Sequence, residues 1–101
     1  MRDRHRPREM TRDSAEELGA RALLFLVEDS GRLVRFLADT GLDPAELRHN
    51  MQDAATLAAA IGHLMADESS LLAFASNVGV EPDDIARAEL ALGGGAHWES
   101  T

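Results

Sequence analysis

Large apolar side chains recur along this chain at intervals of three and four, the spacing of one face of an α-helix. No window alternates with a period of two for long enough to make a strand. Leu18, Ala22, Phe25 and Leu26 share one face of a first helix. Ser14 opens that helix as a capping box, its hydroxyl taking the amide three residues on while Glu17 reaches back. The run Leu23 to Val27 spreads apolar surface around the whole helix and predicts central burial. Met10 either extends this helix or stands outside it. Asp29 caps a second helix, with Leu33, Phe36 and Leu37 as its inner stripe. Gly41 ends it in the left-handed conformation that glycine adopts without a Cβ penalty. Leu42 is then placed for the apolar contact of a Schellman ending.

Asp43, Pro44 and Glu46 restart the chain at once. Asp43 caps, Pro44 stands where a missing amide costs nothing, and Glu46 favours the positive helix end. The short third helix turns Leu47 and Met51 inward. A turn over Asn50 to Asp53 leads to a fourth helix carrying Leu57, Ile61, Leu64 and Met65. Asp67 caps a fifth, with Leu71, Phe74, Ala75 and Val78 inward and Gly79 at its end. Glu81, Pro82 and Asp84 start a sixth, whose apolar face is Ile85, Ala88 and Leu92.

One stretch occurs twice. Ala22 to Met51 aligns without a gap on Ala60 to Glu89, an offset of 38 residues that sets Phe36 over Phe74. Asp29, Gly41 and Pro44 then meet Asp67, Gly79 and Pro82. The matched positions are caps, turns and core residues, so the repeat describes architecture. The expected fold is all-α: about six short helices in two similar three-helix units, residues 14–52 and 53–93, sharing one core. A solenoid stack is the alternative, but solenoids usually need at least about three repeats. Residues 1–12 read as a disordered Arg-rich arm, 13–93 as a single helical domain, and 94–101 as a flexible tail with Gly93 to Gly95 at its root.

The segments RALLFLVEDSGRLVRFLADTGLDPAELR and LMADESSLLAFASNVGVEPDDIARA, with the glycine run and Trp98 after them, resemble domain-of-unknown-function family 3572. The likeness runs from about Ser14 to Trp98, through the paired Phe-x4-Gly-[Leu/Val]-[Asp/Glu]-Pro segments. It implies a compact helical protein of bacterial type. It carries no activity, ligand or catalytic residue.

Charge is unevenly placed. Residues 1–12 hold five Arg against Asp3 and Glu9, whereas residues 13–101 hold five Arg against sixteen acids, within a net charge of −8. The acidic body repels nucleic acid and anionic membrane, and only the arm attracts them. All ten basic residues are Arg, which with the abundant Ala fits a GC-rich coding bias. There is no Cys, which excludes disulfides and thiolate metal sites. No apolar run approaches the roughly 20 residues of a membrane span, and no secretory signal is visible, so the cytoplasm is the default location.

Candidate chemistry is sparse. His49 and Asp53, and His63 and Asp67, lie four apart, but a zinc site needs three or four ligands, and both Asp residues already read as helix caps. His63 meets Phe25 in the repeat, which favours a partly buried, aromatic-like role. No serine sits in a Gly-x-Ser-x-Gly elbow, and the glycine run follows a helix, the wrong way round for a phosphate loop. The acids Glu81, Asp83 and Asp84 are accounted for by the helix dipole. Neither an enzyme nor a cofactor or metal is expected. The expected function is a non-enzymatic protein–protein interaction or self-associating module, because Leu23 to Val27 and Ala54 to Ala60 offer more apolar surface than a small bundle hides. Its candidate contacts are Trp98, Leu23 and Leu24. The alternative is a nucleic-acid-associated accessory protein whose arm meets phosphates through Arg2, Arg4, Arg6 and Arg8.

Overall fold

A computed structural model describes residues 10–93. Most of the expected arm and the whole of the expected tail, including Trp98, lie outside the described residues. Six helices follow one another: α1 (Arg12–Val27), α2 (Ser30–Thr40), α3 (Pro44–His49), α4 (Ala54–Met65), α5 (Glu68–Val78) and α6 (Pro82–Ala91). No strand occurs among the described residues.

Local chemistry sets most of the helix ends. Asp29 accepts from the Arg32 amide at 2.9 Å. Asp43 and Glu46 form a reciprocal capping box, each side chain taking the other's amide at 2.8 and 3.0 Å. At α6 the Glu81 amide donates to Asp84 at 3.2 Å. Gly41 and Gly79 stand at φ 78° and 77°, the left-handed region that ends a helix.

Three ends differ from expectation. α1 is capped by Thr11, whose hydroxyl accepts from the Ser14 amide at 3.0 Å, so Ser14 lies inside the helix. Glu17 pairs instead with Arg21, one turn on, at 3.2 Å. Gly41 does not make a Schellman ending: its amide donates to the Leu37 carbonyl, and the Leu42 amide donates to the Thr40 hydroxyl oxygen at 3.3 Å. The fuller motif belongs to Gly79, where the Gly79 and Val80 amides both reach the Ala75 carbonyl. Asp67 stands at the cap of α5, but its carboxylate takes the Ser70 hydroxyl rather than a helix amide.

One core runs through the molecule, with α1 and α4 at its centre and α6 lying across both. The two central helices cross closely at Gly19. A Cβ there would lie 2.7 Å from Leu57 Cβ and 3.3 Å from Leu92 Cδ1. Ala15, Ala22 and Ala60, all fully buried, keep the same interface narrow. Met10 precedes the α1 cap and packs against the core.

Helices matched by the 38-residue offset end at matched residues: Val27 and Met65, Thr40 and Val78. Two aromatic pairs obey the same offset. Phe25 of α1 lies 5.4 Å from Phe74 of α5, and His63 of α4 lies 5.5 Å from Phe36 of α2. The third helices do not match. α6 packs on α1, α4 and α5, whereas α3 stops after six residues at the edge, anchored by Leu47. Met51, expected inward, is therefore exposed.

The crossing yields a paired test. Gly19→Ala should destabilise by about 1–3 kcal/mol through overpacking, although Ala is the better helix former by about 1 kcal/mol. At Gly62 a Cβ meets only the Glu89 carboxylate oxygen, 2.8 Å away at the end of a flexible side chain. Gly62→Ala should thus be neutral or stabilise by up to about 1 kcal/mol. Urea denaturation reads both, and equal changes of the same sign would show that α1 and α4 do not meet closely at Gly19.

Candidate functional site

α5 turns Phe74 and Ala75 into the core, with Leu71 and Val78 half-buried beside them. Its other side presents Ser69, Leu72, Ala73, Ser76 and Asn77 to solvent, a strip about 12 Å long at the helical rise. Leu72 is 50% exposed at its middle. From Ser69 to Val80 there is no charged side chain, in a chain with 28% charged residues. The other exposed helical apolar residues stand among charges: Leu24 near Glu17, Arg21 and Glu28; Val34 near Arg35 and Asp39; Leu90 near Asp83 and Arg87. Isolated apolar residues of that kind are ordinary surface. The α5 strip, bounded by Glu68 at its start, differs because its polar residues from Ser69 onward are small and neutral. The signal in the sequence is the charge-free run of residues 69–80, in which Ser69, Leu72, Ala73, Ser76 and Asn77 are neither caps nor core positions.

The residues singled out for contact fare unequally. Leu23 is buried, at 1% exposure, and does not present a surface to a partner. It lies four residues after Gly19 on the inner face of α1, while Leu24, 53% exposed, lies a further 100° round the helix. The excess of apolar surface expected from Leu23 to Val27 and Ala54 to Ala60 is largely absorbed: Leu23, Phe25, Leu26, Leu57, Ala58 and Ala60 are all buried, because α1 and α4 are enclosed on several sides. Trp98, Arg2, Arg4, Arg6 and Arg8 lie outside the described residues.

Neither His–Asp pair closes within its helix. His49 Nδ1 meets the Ala45 carbonyl at 3.1 Å. His63 Nδ1 meets Asp39 of α2 at 2.6 Å, with the imidazole edge-on to Phe36. Asp67 holds Ser70. Among the described residues no three of His, Asp and Glu converge as a metal site, and no hydrogen bond joins a serine to a histidine.

Two carboxyls titrate away from their ordinary values. The Ser70 hydroxyl holds Asp67 below 3.8, with Arg35 adding to the effect and burial opposing it. Burial alone pushes Glu89 above 4.5, where its carboxylate rests on Gly62 between α6 and α4. A raised carboxyl favours folding while protonated, so Glu89 contributes below its unfolded value, and that contribution is lost as pH rises through the folded one. Its charge also stands near the negative end of α6. Glu89→Gln should therefore raise the melting temperature at pH 7, with the gain vanishing below about pH 4. A gain that stays constant across that range in calorimetry would refute the role of burial.

A family model described as "Protein of unknown function (DUF3572)" matches residues 12–95. A search of curated proteins and one of solved structures returned no match. With all six helices inside the matched segment, the chain belongs to the DUF3572 family, whose function is unknown.

Proposed function

We propose that this protein is a non-enzymatic interaction module that receives an apolar segment of another protein, or of a second copy, along the outer face of α5. The observation that carries this reading is the neutral strip around Leu72 on an otherwise acidic body. Charged residues are depleted at the centres of protein interfaces, since stripping water from an unpaired charge costs more than the contact returns. The small side chains of Ser69, Ala73 and Ser76 let a partner backbone approach while Leu72 supplies the apolar anchor. Residues 10–93 hold six Arg against fifteen acids, so any second copy meets like charge elsewhere on the body and least along this strip.

Leu72→Asp tests it, because an exposed position tolerates the change with a stability cost within about 0.5 kcal/mol. Affinity capture from nuclease-treated host lysate and sedimentation of the purified protein are the measurements. The expected result is a stoichiometric protein partner, or a concentration-dependent dimer, present with the parent chain and absent with Leu72→Asp. A monomer that retains no protein would refute the reading. Nucleic acid captured alone from a parallel untreated lysate and released by salt would transfer the function to the arm, Arg2 to Arg8.

A further inference from the structure

The hydrogen bonds made by side chains in this fold are almost all local, joining residues two to four apart. The exception among the described residues is His63 to Asp39, 24 positions apart, at 2.6 Å. The imidazole is 17% exposed and stands edge-on to Phe36 at 72°. It is thus both part of the packing between α4 and α2 and the one side-chain polar tie between them.

We propose that this pair is a proton-dependent clasp that sets how firmly the C-terminal half of α2 is held on α4. As imidazolium, His63 donates Nδ1–H to a carboxylate of opposite charge. As neutral imidazole it loses that charge, and keeps the contact only in the tautomer with the proton on Nδ1. Elsewhere around α4, α6 presents Glu89 on Gly62, α5 begins at Asp67 with Arg35 of α2 beside it, and the buried residues of α1 are all apolar. Asp39 is therefore the charged partner in direct contact with the ring. The N-terminal half of α2 has a separate hold, with the Arg32 guanidinium 4.1 Å over the Phe25 ring, and arginine keeps its charge throughout. Raising the pH should loosen one end of α2 and leave the other in place.

Amide hydrogen exchange of the full chain between pH 6 and pH 8, corrected for intrinsic exchange, tests this. Asp39 is 64% exposed, so the effect is modest. Protection over residues 36–40 should fall about two- to fivefold relative to α1, and residues 31–33 should change less. Asp39→Asn, and His63→Phe, which installs the ring found at the matched position 25, should each abolish the difference. If His63→Phe does not fold, Asp39→Asn at its exposed site carries the test alone. Parallel change in α1 and both halves of α2, or a pH response that survives Asp39→Asn, would overturn the proposal.

Discussion

The fold depends on how closely α1 and α4 approach. Gly19 has no side chain where Leu57 presses against it, and the buried alanines on both helices hold the same spacing. That closeness lets each central helix stack an aromatic position on the helix that follows the other. Phe25 of α1 reaches Phe74 of α5, and His63 of α4 reaches Phe36 of α2. The result is one core, since each half completes the packing of the other. A wider crossing would separate both aromatic pairs and lift α6 from the groove in which Leu92 meets Gly19.

What could be read from the sequence was the chemistry that acts over one turn. Asp29, Asp43, Gly41 and Gly79 mark their helix ends because each cap or left-handed residue requires only its neighbours. The misplaced start of α1 is a choice between two hydroxyls three residues apart, Thr11 and Ser14, and local rules favour either. The structure settles on the earlier one, with Arg12 and Glu16 paired at 3.1 Å along the added turn. Leu23 and Leu24 were indistinguishable for another reason. In a helix apolar all round, tertiary contacts alone decide which residue is covered.

The divergence of α3 from α6 has a cause in single residues. Both open with an acid and a proline, but the offset sets Asn50 over Ala88, which is fully buried on the central pair. An amide buried in that seat would need partners that an apolar groove lacks. The helix ends at His49 instead, and Leu47 alone keeps the buried role of its counterpart Ile85. Met51 is thereby left outside.

The same offset explains why the neutral face belongs to α5 rather than α2. α2 is held over the central pair by charges at both ends, Arg32 on Phe25 and Asp39 on His63. Their counterparts on α5 are Ser70 and Asn77, which are uncharged. Phe74 of α5 is fully buried against Phe25 just as Phe36 of α2 is buried against His63, and α5 has a further hold where it lies against α6. Val34 and Leu72 match each other and are both exposed, but the exposed side around Val34 carries Arg35 and Asp39 where that around Leu72 carries Ala73 and Asn77. Folding accounts for the residues α5 buries but places no demand on the neutrality of its outer side. That unconstrained neutrality, on a chain of net charge −8, is what association through α5 would use.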